Sequence, residues 1–271
     1  MQVGVFLSSL GIPDPFEALK RVAELGIGVI QIGSLAERYY DKEVAARFRG
    51  SLAGRGIRAS ATCAAYDGES YADMEAVAET VGLTNPDTLP HRIAHTKRCV
   101  DFGAEVGVPI LTTHIGVMPE DTQCEAYSRL ADTVRVVADY CASREMSFAM
   151  ETGQETAEAM LAFVHTVDRG NVGVNFDPAN MVLYGTGGPV EAVGTLAQHV
   201  MHVHVKDGLY PVREGQLGAE VPLGEGKVGI ERYIAKLKAI GYDGPLIIER
   251  EAGHDRLGDI RRGKALIESL L

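Results

Sequence analysis

No stretch of the chain approaches the ~20 uninterrupted apolar residues of a membrane helix. The opening Met1-Gln2-Val3-Gly4-Val5-Phe6 has no basic segment leading into a long apolar run. Neither a membrane partner nor a secretory leader is expected. Cysteine is scarce: Cys63, Cys99, Cys124 and Cys141 form no Cys-x-x-Cys pair and match no zinc-finger spacing. They read as small buried hydrophobes in a reducing compartment, and the chain as cytoplasmic. The glycine-rich phosphate turn of dinucleotide folds is missing after the first apolar run, where Ser8-Ser9-Leu10-Gly11 stands, and no P-loop pattern occurs. Positive charge is also short, with 26 Lys and Arg against 37 Asp and Glu, a net charge of −11. No basic run exceeds two residues, as at Arg261-Arg262. Such a balance repels a phosphate backbone, so nucleic acid is not an expected partner.

The 271 residues are 46% hydrophobic and 23% charged, ample for a sizeable core. No shift in composition marks a linker, and residues 1–271 read as one domain. Short β-branched and apolar segments alternate with amphipathic ones. Expected strands lie at Val3–Leu7, Gly28–Ile32, Ile57–Cys63, Ile110–His114, Ser147–Glu151, Val172–Asp177, His199–Val205 and Leu246–Glu249. Asp14-Pro15 opens the first helix as N-cap and N1. Further helices are expected near Lys42–Arg55, Asp73–Thr80, His91–Val106, Leu130–Cys141, Glu155–Val167, Val190–Ala197, Ile230–Ile240 and Arg256–Leu270, and a Gly- and Pro-rich loop over Gly208–Lys227. Eight strand–helix units at this length predict an α/β fold of the (β/α)8 barrel type. An open doubly wound sheet is the alternative.

The polar residues carry the functional signal. Four successive strands in the second half end in Glu151, Asp177, His204 and Glu249, at intervals of 26, 27 and 45 residues. In a barrel such carboxyl ends converge at one mouth. One polar strand end merely caps a loop; four in register do more. Three carboxylates around one imidazole repel one another without a cation. Oxygen donors with one imidazole suit Mn²⁺, Mg²⁺ or Co²⁺, with Zn²⁺ an alternative.

Several stretches resemble the sugar phosphate isomerase/epimerase superfamily with its xylose isomerase-like barrel. They are Thr112-Thr113-His114, Met150-Glu151, Asn175-Phe176-Asp177-Pro178-Ala179-Asn180, His202-Val203-His204-Val205-Lys206-Asp207, Pro222-Leu223-Gly224-Glu225-Gly226 and Pro245-Leu246-Ile247-Ile248-Glu249. That superfamily includes ketose 3-epimerases, inosose isomerases and dehydratases, hydroxypyruvate isomerases and endonuclease IV. The resemblance implies one divalent metal ion per chain, Mn²⁺ foremost, held by Glu151, Asp177, His204 and Glu249. It also implies that Glu151 and Glu249 exchange protons with the substrate carbon. Removing a proton beside a carbonyl and returning one to carbon is what isomerising a ketose requires, with an enediolate between the two steps. The implied activity is isomerisation or epimerisation of a small sugar or polyol ketone. Dehydration on the same scaffold is the alternative, a DNA-repair nuclease or a non-catalytic barrel less so.

His114, Asn180, Lys206 and Glu225 are candidates for binding substrate. His114 ends the fourth strand. Lys206 follows His202 and His204 on one strand face, where His202 reads as the deeper, structural residue. Asn180 stands where some relatives have a histidine, and Glu225 sits between glycines in a loop able to close. The nuclease relatives hold three metals through extra histidines. This chain has Asn180 at one such place, no histidine over 61–67, and no Asp-x-His pair after His204. Where ketose 3-epimerases commonly carry arginine, six residues past the metal histidine, stands Tyr210, with Arg213 out of register. The expected partner is a small carbohydrate, with a homodimer or homotetramer as the expected assembly.

Overall fold

The computed structural model describes all residues, 1–271. Eight parallel strands close into a barrel: β1 (Gln2–Phe6), β2 (Val29–Ile32), β3 (Arg58–Cys63), β4 (Ile110–Thr113), β5 (Ser147–Glu151), β6 (Val172–Phe176), β7 (Val200–Val205) and β10 (Pro245–Ile248). Closure runs through β1, which pairs with β2 on one side and β10 on the other. The open doubly wound sheet is thereby excluded. A two-stranded antiparallel ribbon, β8 (Asp207–Leu209) with β9 (Ala219–Val221), stands outside the barrel. It occupies part of the segment expected to be loop.

The helices follow the expected signals. Asp14 caps α1 (Pro15–Glu24), its carboxylate accepting from the N–H groups of Phe16 and Glu17 at 2.8 and 3.1 Å. Asp41 caps α2 (Lys42–Ala53) in the same way. After β3 come α3 (Met74–Thr80) and α4 (Leu89–Val106), which Gly107 ends in the left-handed region at φ 90°. Next are α5 (Glu125–Ala142) and α6 (Ala157–Val167). After β6 the chain departs from expectation: α7 (Pro178–Tyr184) starts at once and α8 (Pro189–Thr195) follows. Asp177 closes no strand; it is the N-cap of α7. The outer ring ends with α9 (Ile230–Ala239) and α10 (Arg256–Leu270). No helix is long and apolar enough to cross a membrane.

The main core fills the layer between sheet and helices, with Phe48, Phe148, Phe163, Phe176 and Tyr233 fully buried. A second small cluster, Phe6, Val29, Cys63 and Ile247, joins strands β1, β2, β3 and β10. Other buried strand positions are polar rather than the usual branched aliphatics: Gln31, Ser60, Thr112, Asn175, His202 and His204. This polar layer lies beneath the mouth.

Asp207 organises the segment beyond β7. Its Oδ1 accepts from the N–H groups of Gly208 and Val228, and its Oδ2 from those of Gly224 and Gly226, all at 3.0–3.1 Å. A Cβ at Gly226 would sit 2.0 Å from Asp207 Oδ1, so only glycine lets the turn close on that carboxylate.

Candidate metal centre

Glu151 is the last residue of β5, Asp177 follows β6, His204 lies near the end of β7, and Glu249 follows β10. One potential ligand atom from each falls within 4.8 Å of all the others. All four residues are buried, at 5% exposure or less. His204 Nδ1 faces Glu249 at 3.0 Å, Glu151 at 3.4 Å and Asp177 Oδ2 at 3.5 Å.

The imidazole is aimed by its other nitrogen. Nε2–H donates to Gln31 Oε1 at 2.7 Å, which turns Nδ1 toward the carboxylates. Gln31 in turn donates to Thr112 Oγ1 at 2.8 Å. Below, His202 spans Asn175 Oδ1 at 2.8 Å and Ser60 Oγ at 3.0 Å, and Ser60 donates to the carbonyl of Ile30. Burial drives the His202 pKa down to about 3, with neighbouring His204 next in effect. It is a neutral prop beneath the cluster.

Each carboxylate is fixed from outside. Asn175 and Asn180 donate to the two oxygens of Glu151 at 3.2 and 3.3 Å, and Asn180 also donates to the Thr152 carbonyl at 3.0 Å. Asp177 spends Oδ1 on the N–H groups of Ala179 and Asn180 as helix cap, leaving Oδ2 free. Lys206 reaches Glu249 at 3.1 Å and Glu251 at 2.7 Å.

Burial penalises all these charges, yet the partners prevail. His114, then His204, hold Glu151 below the usual carboxylate range, and Lys206, then His204, do so for Asp177 and Glu249. Against its own burial, His204 is held well above the usual histidine value by Glu249 and Glu151. The centre is thus a buried group of anions that demands positive charge at one point. Two buried atoms of the centre find no hydrogen-bond partner, Asp177 Oδ2 and His204 Nδ1, and both face that point. A carboxylate oxygen and an imidazole nitrogen, both without partners and turned toward each other amid carboxylates, are what a cation site presents. The four residues fit one metal ion.

Above the centre opens a cavity of about 440 Å³. His114, Asn180 and Lys206 line it with Glu151 and Glu249. His114 Nε2 stands 3.5 Å from Glu151 Oε1. Glu225 is not among the lining residues; it is exposed in the turn that Asp207 gathers. Lys206 pairs with Glu249 and Glu251, whereas Asp207 is spent on backbone. Gln31, Asn175, Glu220 and Glu251 also belong to the site and are not among the candidates the sequence offers. For Gln31 the only signal was a polar side chain inside an otherwise apolar strand.

Comparison with known proteins bears on the family and the fold. The model of the family described as xylose isomerase-like TIM barrel matches residues 19–270. A solved xylose isomerase domain protein from Planctomyces limnophilus is 38% identical, with a TM-score of 0.92 over 99% of this chain and 96% of that one. The probable 3-DHS dehydratase AsbF of Bacillus anthracis superimposes with a TM-score of 0.72 at 16% identity, over 99% of both chains, and shares the fold. L-ribulose-5-phosphate 3-epimerase UlaE of Escherichia coli is 22% identical over 180 residues, which are 64% of this chain and 61% of that protein. The chain spans less than two thirds of the length of the first curated relatives it matches.

Proposed function

This chain belongs to the xylose isomerase-like TIM barrel family, and on that premise we propose that it is a divalent-metal-dependent isomerase or epimerase of a small sugar or polyol ketone. The observation that carries the proposal is the buried four-donor centre in which two donors, Glu151 and Glu249, also line the cavity. Glu151, Asp177, His204 and Glu249 would hold the ion, for which Mn²⁺ is the first choice and Mg²⁺, Co²⁺ and Zn²⁺ the alternatives. When bound, such an ion polarises the carbonyl and neighbouring hydroxyl of the substrate and stabilises the negative charge that develops there.

The remaining work falls to the side chains. Glu151 and Glu249 enter from β5 and β10, with β7 and β6 between them in the barrel wall. They therefore reach the substrate carbon from different sides. One carboxylate takes the proton beside the carbonyl, leaving an enediolate, and the other returns a proton to carbon. Asn175 and Asn180 keep Glu151 aimed, and Lys206 does the same for Glu249. His114, turned to Glu151 at the cavity wall, is placed to bind a substrate hydroxyl. Phe6, Cys63 and Leu183 give the cavity an apolar side that limits water.

The test is turnover of ketoses and inososes with added Mn²⁺ in D₂O, with products read by chromatography and NMR. Epimer or isomer carrying deuterium beside the carbonyl is the expected result. Product without solvent deuterium would mean a hydride shift and refute the proton-transfer route. Loss of water from the substrate would assign a dehydratase instead.

A further inference from the structure

The cavity wall is poor in positive charge. Its lining residues include no arginine, and the single lysine is Lys206. That lysine is already engaged, lying 3.1 Å from Glu249 and 2.7 Å from Glu251. Arg250, between those two glutamates, pairs instead with Glu220 at 2.6 Å and Asp259 at 2.8 Å and does not line the cavity. Three more carboxylates beyond the metal ligands face the space: Glu69, Glu220 and Glu251. Arg250 balances Glu220. A divalent cation offsets two of the three ligand carboxylates, and Lys206 offsets the third. Glu69 has no cationic partner, its Oε1 accepting from the N–H of Gly82, and Glu251 shares Lys206 with Glu249. The other basic group of the wall, His114, is turned to Glu151 at 3.5 Å, and the remaining polar groups, among them Ser8, Ser34, Tyr71, Tyr184 and Asn180, are neutral.

We infer, building on the function proposed above, that the substrate is an uncharged polyhydroxylated ketone, and that Glu251 excludes phosphate esters of such sugars. Phosphate sites are made from arginine forks, free lysines or helix N-termini. This cavity offers no such group with charge to spare. A phosphate dianion entering it meets unbalanced carboxylates where burial strengthens repulsion. Sugar hydroxyls suit the same wall, because each donates to a carboxylate and accepts from Asn, Ser or Tyr. Glu251 is the controlling residue. It is 61% exposed at the side chain, and it both adds negative charge and occupies the one ammonium an anion would seek.

Calorimetric titration of the Mn²⁺-loaded protein tests this directly, using free ketopentoses, ketohexoses and cyclic polyol ketones beside phosphate esters of the same skeletons. A free ligand should bind ~10-fold or more tightly than its ester. Glu251→Lys should shrink or invert that ratio, and the milder Glu251→Gln should move it the same way. Glu158→Lys, an equal charge change on the exposed outer surface of α6, should leave it unaltered. An ester that binds as tightly as the free sugar overturns the inference, as does a panel in which no free ligand binds or a ratio indifferent to Glu251. A free sugar that binds but emerges unchanged from D₂O contradicts the proposed reaction and leaves this inference standing. A phosphate ester that is bound and epimerised does the reverse.

Discussion

Strands β1, β2, β3 and β4 run out into Leu7, Gly33, Ala64 and His114, whereas β5, β6, β7 and β10 deliver Glu151, Asp177, His204 and Glu249. One side of the barrel thus supplies all four residues of the centre, and the other supplies Gln31, Ser60 and Thr112 as neutral partners. The asymmetry follows from electrostatics. A buried cluster of charges needs fixed dipoles around it more than further charges, since every added ion costs desolvation of its own. Gln31, Ser60 and Thr112 orient the imidazole without adding charge at the centre, and the basic group on that side, His114, faces Glu151 from the cavity wall. It follows that the two sides should respond differently to substitution.

The largest effects belong to the charged side. Glu151→Gln and Glu249→Gln keep an oxygen near the centre but remove the base. Turnover and carbon-bound hydrogen exchange should each fall by roughly 10²–10⁴-fold, measured by NMR in D₂O with circular dichroism confirming the fold. A substitution that spares exchange would break the assignment of that glutamate. Next in size is the ion itself. At about 100 times its Kd a divalent cation should add ~2.7 kcal/mol to unfolding stability by mass action. Scanning calorimetry with and without chelator reads this, and Asp177→Asn should remove most of the gain.

On the neutral side, Gln31→Leu leaves the His204 Nε2–H buried without an acceptor. Cation affinity should weaken by about 10–100-fold, the usual consequence of losing an orienting partner, which titration with Mn²⁺ will measure. Full affinity in that variant would show that the neutral side does not aim the ligand. The smallest expected effect is Ser60→Ala, one step further from the centre. It should cost ~1 kcal/mol in chemical denaturation and leave cation affinity unchanged.

The same division explains what the sequence could reveal. Glu151 and Glu249 were legible because an apolar strand running into a carboxylate is a local pattern. Asp177 was legible as a site residue but not as a helix cap, since the seven-residue helix it starts is too short to show a periodic face. The ribbon of β8 and β9 falls almost wholly within the Gly208–Lys227 segment expected to be loop. Its strands of three residues carry no alternation, and their pairing depends on neighbours some ten residues away. Gln31 could not be linked to His204 from sequence: the two lie 173 residues apart and meet only because the sheet closes. Glu251 and Lys206 were likewise separated by 45 residues, so the loss of the wall's one free ammonium was invisible until the ends of β7 and β10 were adjacent.

Closure of the barrel through β1 and β10 also has a kinetic meaning. Glu249 follows the strand that seals the ring, and nearby the Arg250 N–H donates to Ser9 Oγ across 241 residues of chain. Contacts of such separation are slow to form, because the entropy of bringing distant segments together is lost before any contact repays it. Until the ring seals, the centre lacks Glu249, and its histidine lacks the Gln31 acceptor that aims it as well. Uptake of Mn²⁺ during refolding should therefore keep time with the final sealing step, not with the earlier appearance of helices. The paramagnetic ion becomes a clock for the last event in folding, and a stopped-flow trace in which helicity precedes ion uptake is the signature to expect.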